Sequence, residues 1–275
     1  ENMPITALEI NKEKGLIKSM IFDIGSSTNI VKNFTKGEPC IFMGPSGKAT
    51  ELPSNKTVLL IGRGRGNQAV PAIAKHLKSL NCKIIILLIY QNNNKISNIS
   101  ENLDIQTLKE VSDNFIIATN NYNSCDIEKS QLREFDMIAN GNFIDLLLEY
   151  QNLVSVNRIS SSAINLKSIE HLLIIGDDRL MLEIADAKDN NKLRDYFKNS
   201  KIIASLNAPM QCMSKGICAR CLQRKKDHNN QWQYFYACAN QDQELDNVDL
   251  QHLKWRCQQN NLWEKTAKIY SNIFL

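Results

Sequence analysis

The chain has 275 residues, 43% hydrophobic and 23% charged, and a net charge of +4 from 33 basic and 29 acidic side chains. That length allows one large domain or two small ones with real cores, and the charge is too small to argue for nucleic acid or a membrane surface as a partner. The longest apolar run, Ile84 to Tyr90, suits a buried strand and falls far short of a membrane span. The opening residues ENMPITALEI do not read as a signal peptide, and a cytoplasmic protein is expected. Because residue 1 is Glu1 and not Met, a fragment or a processed product is expected as well.

In chain order, residues 1–52 read as short strands joined by turns. ITALEI and LIKSMIFDI are strand-like about an EKG turn, NIVKNF is helix-like, and Gly37-Glu38-Pro39 leads into a strand CIFMG that Gly44-Pro45-Ser46-Gly47 breaks. Residues 53–205 alternate strands with helices. TVLLIG, KIIILLIY, NFIIAT and HLLIIG are strands; NQAVPAIAKHLKSL, FIDLLLEYQNL and DRLMLEIADAK are helices; QNNNKISNISENLD is a surface loop. Alternation of this kind predicts a parallel sheet with crossover helices. Residues 206–275 show little aliphatic periodicity, but Leu250, Leu253 and Cys257 fall at helical spacing and predict a terminal helix.

Four of the eight cysteines, Cys212, Cys218, Cys221 and Cys238, are gathered with the spacing C-x5-C-x2-C-x16-C. Four thiolates are the usual ligand set of a 2Fe–2S cluster, and three close together with one distant is the plant-ferredoxin style of spacing. Ser214, Gly216 and Ala219 are small enough to let backbone N–H groups approach the sulfurs. The rival is a structural four-cysteine zinc site, which normally pairs two C-x2-C knuckles where this chain has one. Cys40 and Cys82 read as buried structural thiols.

The second constellation runs from Val58 to Asn67: a strand, then Gly62, Gly64 and Gly66, then the start of a helix. Glycines let a backbone approach a pyrophosphate, and a helix N-terminus supplies donors for it. The third glycine comes one residue early for G-x-G-x-x-G, and the next strand ends without an acidic residue, so a plain tight turn stays open as the alternative.

These residues together resemble a known family. SLNAPMQCMSKGICARCLQ and YACANQDQELD are similar to the cluster domain of ferredoxin-reductase-like electron-transfer subunits, such as that of dihydroorotate dehydrogenase and the small subunits of sulfide dehydrogenases. The match runs through Ser205, Leu206, Met210, Gly216, Cys218, Cys221 and Cys238. The first cysteine gap is five residues where the common form has four, and some relatives use Asp as the first ligand. Residues 172–181, with Gly176 and Met181, resemble the family's second nucleotide-binding segment. Pro4-Ile5-Thr6 resembles its flavin strand, with Asn2 where an Arg is usual, and Gly25, Ser27 and Thr28 resemble the loop that holds the FAD pyrophosphate.

The resemblance implies an α/β protein in three parts. Residues 1–52 would be the C-terminal part of a flavin-type β-barrel, residues 53–205 a parallel-sheet NAD(P)-binding domain, and residues 206–275 a small 2Fe–2S domain with a terminal helix. It implies the electron-transfer module of an oxidoreductase, moving electrons between NAD(P)H, FAD and the cluster, with preceding domains or a catalytic subunit as partner. The site residues implied are Pro4, Ile5, Thr6, Gly25, Ser27 and Thr28 for flavin; Gly62, Gly64, Gly66, Asn67, Gly176 and Met181 for the nucleotide; and Cys212, Cys218, Cys221 and Cys238 for the cluster. The alternative is a non-catalytic regulatory or assembly domain of a fused enzyme, stapled by a structural four-cysteine metal site.

Overall fold

The structure is a computed structural model describing residues 5, 7–19, 21, 28, 31, 33–90, 105–120, 131–156, 163–190, 192–206, 208, 212, 214–259, 266 and 269. The chain divides into two compact units. One holds Glu51–Ser205 with Glu244–Asp246, the other Glu1–Thr50, Leu206–Gln243 and Asn247–Leu275.

In the first of these, strands β3 (Thr57–Arg63), β4 (Lys83–Tyr90) and β5 (Asn114–Thr119) form the centre of the sheet. Each is an unbroken apolar run because helices cover both faces, as parallel strands require. Strands β6 (Met137–Asn140), β7 (His171–Gly176) and β8 (Lys201–Leu206) extend it. The order is β8-β7-β3-β4-β5-β6, with β11 (Asp242–Glu244) at the β8 edge. β3 pairs in parallel with both β4 and β7. From β3 the chain adds β4, β5 and β6 on one side, then returns to add β7 and β8 on the other. The reversal opens a crevice between the carboxyl ends of β3 and β7, the place where open α/β sheets bind ligands.

The helices follow from their periodicity and caps. Helix α1 (Val70–Ser79) buries Val70, Ala74 and Leu77 at i, i+4 and i+7. Helix α2 (Ile105–Val111) buries Leu108 and Val111. Helix α3 (Phe143–Ser155) is capped by Asn142, whose side chain accepts the Ile144 N–H at 2.8 Å. Helix α4 (Asp178–Asp189) is capped by Asp177, which accepts the Leu180 N–H at 3.0 Å. A short helix, α5 (Arg194–Phe197), precedes β8. No helix among the described residues is long and apolar enough to cross a membrane.

A buried ion pair locks the β5–β6 edge. The Asp136 carboxylate has no exposed surface; it accepts from Arg133 Nε at 2.9 Å and from the Phe115 N–H at 3.1 Å. Arg133 also donates to the Ser112 carbonyl at 2.9 Å. Removing one partner of a buried pair strands the other. Asp136→Asn is therefore expected to lower unfolding stability by about 3–5 kcal/mol, read as a lower urea midpoint. An unchanged midpoint would show that the pair carries no net weight.

The second unit contains two hairpins. β1 (Ala7–Asn11) pairs with β2 (Leu16–Ser19), and β9 (Leu222–Lys226) pairs antiparallel with β10 (Trp232–Tyr236). Asp227 shapes the β9–β10 loop by accepting the N–H groups of Asn229 and Gln231, both at 2.8 Å. Residues 250–259 are helical, start at the capping carboxylate of Asp249, and bury Leu253.

Two expectations are corrected. CIFMG is not a strand: residues 38–46 have no regular structure, and Ile41 is 94% exposed. A strand exists only through a partner's hydrogen bonds, and among the described residues none pairs with this segment. Cys40 lies in it and is exposed, not buried; Cys82 is buried as expected. The hairpin at residues 7–19 is the only regular β-structure described within residues 1–52.

Candidate functional site

The cysteine loop is built by its backbone. Ser214, Gly216 and Ala219 all take positive φ, at 62°, 66° and 56°. Alternating left- and right-handed residues turn successive N–H groups to one side and form an anion-binding nest. Here the groups turned inward are those of Lys215, Ile217 and Cys218, which bond to the Cys212 sulfur, and that of Gly216, which bonds to the Cys238 sulfur. The Cys212 and Cys218 thiols also bond to each other. Cys221 and Cys238 are buried, with their sulfurs 3.1 Å apart. Arg256, on the helical segment 250–259, clamps the loop by donating to the carbonyls of Ala219 and Arg220 at 2.9 and 3.0 Å.

The electrostatics split the four thiols. The Ile217 and Cys218 N–H groups, with lesser help from the Cys218 thiol and the Lys215 N–H, bring Cys212 down to about 6. Cys238 is pushed up to about 11, first by burial and then by its hydrogen bond with Cys221, against the pull of the Gly216 N–H. These shifts favour the thiolate at Cys212 and the protonated thiol at Cys238, and a bound cation would supply the charge that draws the Cys238 proton off. Among the described residues, no group of three or more His, Cys, Asp or Glu side chains is placed to hold a metal ion as it stands. The donor chemistry still fits a thiolate-bound cluster: two pairs of sulfurs, Cys212 with Cys218 and Cys221 with Cys238, and four N–H groups aimed at two of the four. All seven cysteines among the described residues are free. Cys238 lies on the turn just after β10.

The glycine turn lies at the β3–β7 crevice. Residues Gly64–Gln68 form a 3-10 turn that leads into α1. Its glycines serve different ends. A Cβ on Gly66 would stand 2.1 Å from the Ile175 carbonyl oxygen, so Gly66 lets the turn lie directly on β7. A Cβ on Gly62 would meet Asn67 Oδ1 and Val70, both at 2.7 Å, and one on Gly176 would meet Leu180 at 2.7 Å. Gly64 alone of the four has φ +57° and nothing within 4 Å of its Cβ position. It stands exposed at the tip with Arg65.

The neighbouring residues sort themselves in the same way. Arg63 is buried and paired with Glu183 at 2.9 Å and Asp177 at 3.8 Å, so it is neither solvated nor turned to a ligand. Asn67 is buried and donates to the Ile89 carbonyl at 3.2 Å, which ties the turn to β4. Met181, on α4, has no exposed surface. Of the flavin residues, Ile5 and Thr28 are described, whereas Pro4, Thr6, Gly25 and Ser27 lie outside the described residues. Sequence reasoning gave no sign of a cavity of about 210 Å³ lined by Ile89, Tyr90, Ala118, Asn120, Gly141 and Phe143. It lies at the carboxyl ends of β4 and β5, on the same edge of the sheet but away from the β3–β7 crevice.

No family model matches the sequence. The chain is 26% identical over 267 residues to an uncharacterised protein of Rickettsia prowazekii, a match covering 97% of this chain and 26% of that protein. It is 28% identical over 96 residues to the electron transfer subunit of dihydroorotate dehydrogenase B (NAD(+)) from Fusobacterium nucleatum, covering 34% of this chain and 37% of the subunit. It is 26% identical over 119 residues to the Thermotoga maritima homolog of that subunit, covering 43% of this chain and 40% of the homolog. The matches thus span about a quarter to two fifths of these relatives' lengths. In fold the chain is similar to a structure from a study of flavin-based electron bifurcation by an NADH-dependent reduced ferredoxin-NADP oxidoreductase. The TM-score is 0.69 at 18% identity, covering 99% of this chain and 82% of that one. Over part of its length the chain is thus similar in sequence to electron transfer subunits of dihydroorotate dehydrogenase B, and in fold it is similar to the ferredoxin-NADP oxidoreductase structure.

Proposed function

We propose that the chain is an electron-transfer module of an oxidoreductase, with NAD(P)H, FAD and a 2Fe–2S cluster as its redox groups and a partner protein or domain as acceptor. When bound, these groups supply the hydride and single-electron chemistry. The chain's own residues bind, orient and shield them. Cys212, Cys218, Cys221 and Cys238 would hold the cluster, and the N–H groups of residues 215–218 would stabilise negative charge on its sulfurs. Gly64 and the start of α1 would receive the nucleotide pyrophosphate, with Arg65 beside it as a cation. Gly62, Gly66 and Gly176 would act one step back, by letting the turn, β3, β7 and α4 close on one another. Residues 1–52 would contribute to flavin binding.

The observation that carries this reading is the run of four consecutive N–H donors aimed at Cys212 and Cys238. Donors in that number suit the negative sulfurs of a thiolate-bound cluster. Protein purified without oxygen is expected to be brown and to contain about two irons and two sulfides per chain. One zinc and no iron would overturn the reading and favour a structural staple, because zinc is colourless.

A further inference from the structure

The β9–β10 hairpin presents an unusual face. Trp232, Tyr234 and Tyr236 alternate along β10, so all three point to one side. They are 48%, 60% and 39% exposed. The register sets Lys226 opposite Trp232 and Arg224 opposite Tyr234. Both cations lie over the Trp232 ring, at 4.7 Å for Arg224 and 5.4 Å for Lys226. The face continues through His252, edge-on to Tyr234 with centroids 6.0 Å apart, to Trp255, which is 53% exposed. It ends at the cysteine loop: a Cβ on Gly216 would sit 3.4 Å from the Tyr236 ring, and Ile217 beside it is 75% exposed.

We propose that this face is the docking surface for an acidic protein partner, seated beside the cysteine loop. Aromatic side chains with arginine mark protein interfaces, and large exposed apolar groups on a small element mark a surface made to be covered. Charge selects the partner. From Lys215 to Ala239 five side chains are cationic (Lys215, Arg220, Arg224, Lys225 and Lys226), against one acidic side chain, Asp227; Asp249, just beyond this span, pairs with Arg224, which leaves four cations in the hairpin and loop without a carboxylate partner among the described residues. Asp227 is turned inward on its own loop. A single-stranded nucleic acid would also favour aromatics and cations, but it needs open ring faces on which bases stack. Here Arg224 and Lys226 already lie over the Trp232 ring. The placement beside the four thiols gives the face its use, and that part rests on the electron-transfer reading above.

The test is calorimetric titration of the full chain with a small acidic flavodoxin, and in parallel with a twelve-nucleotide oligouridine. Flavodoxin is expected to bind at about 50 mM salt and to weaken steeply towards about 300 mM. Lys226→Glu is expected to weaken binding about tenfold at low salt and less at high salt. Trp232→Ala is expected to weaken it about tenfold at both, as loss of an apolar anchor does. Lys12→Glu, the same charge change on the exposed β1–β2 turn, is expected to leave it unchanged. Binding that ignores both hairpin changes, no flavodoxin binding at low salt, or binding of oligouridine alone would each overturn the proposal. Iron and sulfide are assayed on the same preparations. Iron-free protein that binds flavodoxin through this face would uphold the docking surface and remove the electron-transfer reading.

Discussion

Cys238→Ser is expected to yield colourless protein with less than about a tenth of the iron of the parent, the largest change any single cysteine replacement should produce. Cys238 is buried, takes the Gly216 N–H, and lies 3.1 Å from the Cys221 sulfur. A hydroxyl there is a poor ligand with no way to turn toward water. Cys221→Ser, at a site with no exposure, is expected to behave alike. Cys212 should be more tolerant. It is half-buried, and its N–H donors would serve a carboxylate as they serve a thiolate. Cys212→Asp is therefore expected to keep part of the iron. Cys40→Ser, on the exposed segment 38–46, should change nothing. Iron retained in full by Cys238→Ser would remove this cysteine from the ligand set.

The parallel sheet was the legible part of this sequence. β3, β4, β5 and β7 are apolar runs buried on both faces, and nothing else in the chain reads that way. Besides β8 (KIIASL), which is apolar, the strands that were missed, β6 (MIAN), β9 (LQRKK) and β11 (DQE), are short or polar. Each is fixed by a pairing partner and not by its own composition, so a local pattern cannot announce it. CIFMG erred in the opposite direction, with strand-like composition and no described partner. In the site, cysteine spacing drew attention to the loop in which the small residues Ser214, Gly216 and Ala219 take positive φ. The roles of Arg63 and Asn67 were not readable, because Glu183, Asp177 and the Ile89 carbonyl come to them from distant elements. The glycine pattern fell between these cases. Four glycines were marked for one purpose, and three of them turn out to be demanded by close packing.

That division gives the second large effect. Gly66→Ala is expected to destabilise the sheet-containing unit by more than the about 1–3 kcal/mol typical of an overpacked site. Its Cβ would stand 2.1 Å from the Ile175 oxygen and 2.6 Å from the Ile175 carbon. Both are backbone atoms of a central strand and cannot swing aside. Against a total stability of about 5–15 kcal/mol, a large fraction of the molecules should unfold or aggregate. Gly64→Val meets no such obstacle. Its only folding penalty is the left-handed φ of +57°, about 1–2 kcal/mol for a residue with a Cβ, which shifts melting by a few degrees. Its branched side chain would fill the open space above the turn, where the pyrophosphate would lie. Binding of NAD(P)H, read by calorimetry, is expected to weaken about tenfold or more, the equivalent of about 1.4 kcal/mol. The iron content should stay at the parent level, since the turn and the cysteine loop belong to different units. The two changes therefore separate the roles of one short loop: Gly66 holds the turn to the sheet, and Gly64 leaves room for a ligand. If Gly64→Val bound the nucleotide as tightly as the parent, the turn would be a packing device throughout and the nucleotide site would have to be sought elsewhere along this edge of the sheet.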